Sequence, residues 1–241
     1  MAALTALAGV GPANAASPSP VGLGTSATFA VLAGSTVTNT GNSVISGDLG
    51  VSPGTAVTGF PPGIVNNGTV HTADTVAAQA QSDAAIAYGD AAGRATSATI
   101  TADLGGQTLA GGVYTGTTLG LTGTLTLDAA NNPAAVFILR SAKTLITASS
   151  SQVTLIRGAE ACNVFWQVGS SATLGTSSLM VGTVLASTSI SATTGASVNG
   201  RLFASTGAVT LDTNVISKPS CTTTPPSTTP PVTTPPSTTP P

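Results

Sequence analysis

The sequence predicts a mainly β protein, a solenoid of short strands with one long α-helix packed alongside, on three observations. Residues 172 to 213 repeat a short pattern: Ala172-Thr173-Leu174-Gly175-Thr176 returns as Ile190-Ser191-Ala192-Thr193-Thr194 and again as Val209-Thr210-Leu211-Asp212-Thr213. Between the copies Gly182 echoes as Gly200, and Ala186-Ser187-Thr188 as Ala204-Ser205-Thr206. A unit this short buries its apolar side only by stacking on its neighbours, as one coil on the next. The second observation is composition: 41% hydrophobic residues in short β-type runs, 3% aromatic, 6% charged, and 28 glycines to turn tight corners. The third is a single stretch, residues 73–92, where alanines at helical spacing replace the β pattern.

Taken in order, residues 1–15 hold a short apolar region and an Ala13-Asn14-Ala15 sequence of cleavage type. They read as the back half of a secretory signal, which places the chain outside the cell, secreted or associated with the cell wall. The folded domain is expected over 16–221. Its first β runs are Phe29 to Leu32, Thr36 to Thr40 and Ser43 to Val51, punctuated by Gly41, Gly47, Gly50 and Pro53-Gly54. Phe60-Pro61-Pro62-Gly63 closes that part. In 73–92, Val76, Ala80, Ala84, Ala87 and Ala91 recur at steps of three or four, giving a helix with a narrow small-residue face. Asp74 near its start suits the positive end of the helix dipole. Such a face lets the helix lie close against a flat sheet, as a buttress.

From Leu104 the β pattern resumes through Val113-Tyr114, Leu119 to Leu127, Ala134 to Leu139, Thr144 to Thr147 and Val153 to Ile156. Ala135 to Leu139, Val164-Phe165-Trp166 and Val184-Leu185-Ala186 are apolar on both sides of the strand, so they belong under the helix, with Trp166 in the core. The threonine-rich runs belong on a side open to solvent. Beyond Thr222 the chain reads TTTPPSTTPPVTTPPSTTPP, an extended linker or tail over 222–241 rather than a packed structure. Cys162 and Cys221 are the only cysteines. In a secreted chain an even count points to a disulfide clipping the last coil onto an earlier one, and closing such a loop stabilises by about 4 kcal/mol.

Several function classes find no support. Six Lys and Arg and a net charge of −2 make no basic stripe for nucleic acid or anionic lipid. No apolar run approaches the roughly 18 to 20 residues of a membrane span. The acids Asp48, Asp103, Asp128, Glu160 and Asp212 are scattered, no Cys/His spacing suits a metal, and no loop suits a phosphate. His71, the one histidine, precedes the helix and reads as a local cap or turn residue. The expectation is therefore a protein without catalysis, cofactor or metal.

These residues resemble a known family, the β-solenoid ice-binding proteins of bacteria and fungi. The resemblance rests on CNVFWQVGSSATLGT from Cys162, TNTG at 38–41, SGDLGVSPG at 46–54, TGFPPG at 58–63, LTGTLTLDA at 121–129, VNGR at 198–201 and GAVTLDTN at 207–214. These occur in the family's order and cover roughly Leu23 to Cys221. The resemblance implies a right-handed parallel β-solenoid of triangular section, with N-terminal strands capping coils formed largely by the C-terminal half. It also implies adsorption to ice, with ordered water as the partner, through a flat face rich in Thr, Ser, Ala and Asn. The family's Thr-Ala/Gly-x-Thr/Asn motif is approached by Ser191-Ala192-Thr193-Thr194. Thr173 to Thr176 and Thr210 to Thr213 keep its hydroxyls but carry leucine second.

Strand alternation turns Leu174 and Leu211 inward and the hydroxyls outward. The expected ice-binding residues are Thr173, Ser191, Thr193, Thr210 and Thr144, with Thr144 and Thr147 supplying a further rung. Gly175 and Asp212 interrupt the ladder. The competing expectation is a cell-surface adhesion or structural module, whose partner is a wall or surface glycan and which the Thr/Pro-rich segment holds away from the cell. Scarce aromatics weigh against sugar platforms. A monomer is expected in either case.

Overall fold

Most strands here are too short and too one-sided to form a free sheet, and the chain winds them into stacked coils with three sides. The structure, a computed structural model, describes residues 18–220 except Thr101. The signal-like segment 1–15, Cys221 and the segment 222–241 lie outside the described residues. All strand pairing given for them is parallel. The result is a right-handed β-solenoid of triangular section.

Along the stack the coils run 98–110, 112–128, 137–156, 164–181, 183–199 and 201–217. Then the order breaks. The next coil is 29–46, whose strands Phe29–Ala33, Thr36–Thr40 and Val44–Ser46 pair with the three strands of the 201–217 coil. Coil 48–66 and strand Val70–Thr72 follow. The N-terminal coils thus stack directly on the last C-terminal one, as the resemblance implied. The repeat registers as its sequence suggests: Ala172 beside Ile190 beside Val209, Gly182 beside Gly200, and Ala186 beside Ala204.

This order forces a long return. The chain leaves Val70–Thr72 at one end of the stack and must reach Ala98–Thr99 at the other. The helix Thr75–Gly93 makes most of that journey. At 1.5 Å per residue it covers about 28 Å, close to six rung spacings of roughly 4.8 Å. Asp74 is its N-cap, accepting a hydrogen bond from the Ala77 amide at 2.8 Å. Its carboxylate also meets His71 at 2.7 Å, so His71 sits in the turn that starts the helix. At the far end Arg140 donates to the carbonyls of Ala92 and Arg94, satisfying groups that the helix leaves open.

The buried helix face is Ala77, Ala80, Ala84, Ala87 and Ala91. The sequence reading placed Val76 on it, but Val76 is 47% exposed. The stripe steps back from Ala80 by three to Ala77, and Val76 falls a turn-third away. Ala80, Ala84, Ala87 and Ala91 pack on Phe29, Leu32, Val113, Ile138, Phe165, Leu185 and Phe203. This is the covered side of the solenoid, apolar above and below as the runs at 135–139, 164–166 and 184–186 require. Trp166 points the other way, into the coil interior, and its indole N–H donates to the Val181 carbonyl at 2.9 Å. Asp83 ties the helix to the turn Gly24–Thr28 by accepting from the Thr25 amide and hydroxyl, both at 2.7 Å.

Two long strands, Leu179–Ala186 and Ser197–Ala204, bend from one side onto the next at Gly182 and Gly200. A Cβ built on Gly200 would lie 1.8 Å from the Gly182 carbonyl oxygen, so the corner admits no side chain.

Candidate functional site

Two sides of the triangle remain open. One is the seven-stranded sheet of Leu119–Leu121, Leu145–Thr147, Ala172–Leu174, Ile190–Ala192, Val209–Asp212, Thr36–Thr40 and Ala56–Thr58. Its central outward column can be followed by register: Gly120, Ile146, Thr173, Ser191, Thr210, Thr38 and Thr58 stand one above another. From Thr173 to Thr58 every rung carries a hydroxyl. At about 4.8 Å per rung, that unbroken run is roughly 19 Å long. Leu174, Ala192, Leu211, Ala172, Ile190 and Val209 point inward and are buried, so the pleat holds each outward side chain on a packed floor. The Thr38 and Thr210 hydroxyls sit 3.4 Å apart across adjacent rungs.

A second column flanks the first. Backbone bonds from Leu119, Leu145, Ala172 and Ile190 to the carbonyls of Thr144, Ser171, Ser189 and Ala208 set those four in line. Thr36 and Ala56 pair beside each other further on. On the other flank stand Gly175, Thr193, Asp212 and Thr40, the last two in register.

The structure therefore brings Thr173, Ser191 and Thr210 into one ladder, as expected. Thr193 lies in the flanking column, and its hydroxyl donates to the Leu174 carbonyl at 2.8 Å and meets the Thr176 hydroxyl at 3.3 Å. Thr144 stands on the same side, half-buried, in the other flank. Thr147 does not belong to the surface: it is 4% exposed, and its hydroxyl accepts the Gly175 amide at 2.8 Å. It stands three positions after Thr144, an odd step that turns it inward. Asp212 is at the edge. One carboxylate oxygen accepts from Thr194 at 2.5 Å and the other from Thr213 at 3.0 Å.

Sequence reading missed Thr38 and Thr58. Thr58 pairs with Thr38, and Thr38 with Thr210, which is distant in the chain, but Val37-Thr38-Asn39-Thr40 carries the same alternation as Val209-Thr210-Leu211-Asp212 and could have been aligned with it.

The edge of this side is built by a recurring turn. Ser150, Ser177, Gly195, Thr213 and Gly41 all take left-handed backbone there. The amides of Ser150, Ser177, Gly195 and Thr213 donate to the carbonyls of Thr176, Thr194, Asp212 and Thr40 on the next coil. Buried Asn214 staples the turn, donating to the Thr193 and Ala196 carbonyls and accepting from the Asp212 amide.

The other open side differs. Its outward column reads Thr124, Gln152, Leu179, Ser197, Val215, Val44 and Ile64, with Asn199, Ser217, Ser46 and Asn66 alongside. Among the described residues, no group of three His, Cys, Asp or Glu is placed to hold a metal, and no helix is long and apolar enough to cross a membrane.

Comparison with known proteins agrees with this geometry. The family described as Ice-binding-like matches residues 31–217. An ice-binding protein of Nostoc sp. (strain HG1) is 53% identical over 206 residues, covering 84% of this chain and 76% of that protein. The crystal structure of an ice-binding protein from the Antarctic ascomycete Antarctomyces psychrotrophicus is 42% identical, with a TM-score of 0.81, and covers 84% of this chain and 100% of that one. An ice-binding protein from an Antarctic biological consortium is 46% identical with a TM-score of 0.83, covering 87% of this chain and 96% of its own. By sequence and by fold, the chain belongs to the Ice-binding-like family.

Proposed function

We propose that this protein adsorbs to ice through the seven-stranded side, and that the column Thr173, Ser191, Thr210, Thr38 and Thr58 is the centre of its contact. The observation that carries this reading is the register of that column. It sets β-branched or small hydroxyl side chains at a constant spacing on a packed floor. The methyl groups favour ordered water around them, and the hydroxyls anchor that water by hydrogen bonds. Each contact is weak. Because the backbone ladder already fixes the groups, little ordering entropy is lost on binding, and many weak contacts add. Adsorbed protein then pins the ice front and slows growth and recrystallisation. The same names carried by the relatives support the reading.

The test is direct. Purified protein at micromolar concentration is expected to halt grain coarsening in polycrystalline ice and to shape single crystals near their melting point. Unchanged grain growth and crystal shape refute it. The reading includes secretion through the 1–15 segment and a bond between Cys162 and Cys221. Thiol alkylation before and after reduction, read by mass, tests the bond.

A further inference from the structure

We infer that Ile146 is the residue that limits the extent of the ice-contacting surface, and that replacing it with threonine enlarges that surface. This rests on the ice-binding reading above.

The central column does not stop where the sheet stops. Beyond Thr173 it continues through Ile146, Gly120 and Asp103, each in register with the next. The backbone stays a paired ladder through Ile146 and Gly120, so at those two rungs the side chains make the difference, and Asp103 adds a single bridge. Ile146 is 56% exposed and shares the branched Cβ of threonine, but carries one more carbon outward. That adds a projection of about 1.5 Å, one carbon–carbon bond. Against a solid, a rigid knob of that height holds its neighbours off. Gly120, next in line, offers no side chain. Asp103 ends the column with a carboxylate that folds back to accept the Gly105 and Thr122 amides at 2.9 and 3.0 Å. Beside the knob lies a hollow of about 360 Å³, lined by Asp103, Thr118, Gly120, Thr122, Thr144 and Ile146. Knob, gap and charge interrupt the pattern on successive rungs, whereas on the other side of Thr173 nothing interrupts it. The surface is thus flat from Thr173 to Thr58 and uneven from Ile146 outward.

Isoleucine to threonine at an exposed strand position changes β-propensity little. Ile146→Thr should therefore leave the melting temperature in place. It should raise thermal hysteresis at matched concentration about twofold, since a rigid site gains a contiguous rung without added ordering cost. Ile146→Ala, which removes the knob but supplies no hydroxyl, should give a smaller gain. Ser191→Tyr in the middle of the ladder is the control. If Ser191→Tyr abolishes activity and Ile146→Thr leaves it unchanged or lowers it, the ladder is the site and the boundary assignment is wrong. If Ser191→Tyr changes nothing, the ice reading of this side fails first. Circular dichroism melts on each variant separate a surface effect from unfolding.

Discussion

The two open sides of the solenoid share one backbone and differ only in what they project. Both are parallel ladders with the same rung spacing and both are floored by buried aliphatic residues. One presents Thr173, Ser191, Thr210, Thr38 and Thr58 in line, side chains of nearly one height. The other presents Gln152, Leu179, Ser197, Val215, Val44 and Ile64, which differ in length and polarity from rung to rung. Leu179 is 50% and Ile64 48% exposed. The comparison separates regular backbone from regular surface: the first is common to both sides, the second belongs to one.

The largest expected effect would break that distinction. Ser191→Tyr should remove most ice activity, while Ser197→Tyr at the equivalent height on the other open side should leave it within experimental error. Crystal shaping and recrystallisation assays on the pair check this, and equal losses would mean that both sides contact ice. Next in size, Thr38→Tyr should reduce activity several-fold, because the N-terminal coil supplies part of the same column. An unaffected Thr38→Tyr would shrink the site to the C-terminal coils. The covered side offers a milder contrast. Asp74→Ala removes the helix N-cap and should lower stability modestly, read by denaturant melts, with ice activity per folded molecule unchanged.

The smallest effect is that of acid. Asp74, Asp83, Asp103 and Asp128 are each held below the ordinary carboxylate range by hydrogen bonds they accept, chiefly from the Ala77 amide, the Thr25 hydroxyl, the Gly105 amide and Arg157. Folding lowers their proton affinity. Stability is then full above the unfolded carboxylate value of about 4 and declines as pH falls through the lower folded values. Asp74 and Asp103 are exposed and Asp83 and Asp128 half-buried, all within reach of solvent screening, so the decline is shallow. The melting temperature should stay level between about pH 5 and 7 and dip below about pH 4.

Much of the architecture was legible because it rests on local pattern. The repeat at 172–213 announced coils, and strand alternation put Leu174 and Leu211 inside. The alanine stripe announced a helix that lies close to a sheet, in error only by the step from Val76 to Ala77. The site was legible in part. Thr173, Ser191 and Thr210 follow one another at the repeat interval, so their alignment is written in the chain. Thr38 and Thr58 are aligned with them only through pairing across 172 residues, which no local periodicity encodes. Thr147 failed for a simpler reason: its identity suggested the surface, but its parity placed it inside.

The break in coil order has a consequence for how this surface comes into being. Strand Thr36–Thr40 is made early and Val209–Asp212 late, and the central column is continuous only where they pair. Contacts of such sequence separation close slowly, since the intervening chain must give up its freedom before the contact repays it. A chain emerging from synthesis holds the Thr38 and Thr58 rungs long before it holds the rungs that complete the ladder. The seam between first-made and last-made coils lies within the proposed contact surface, so completing the fold completes that surface too. A chain whose seam has not closed, though already rich in β-structure, would present two short patches in place of one long one.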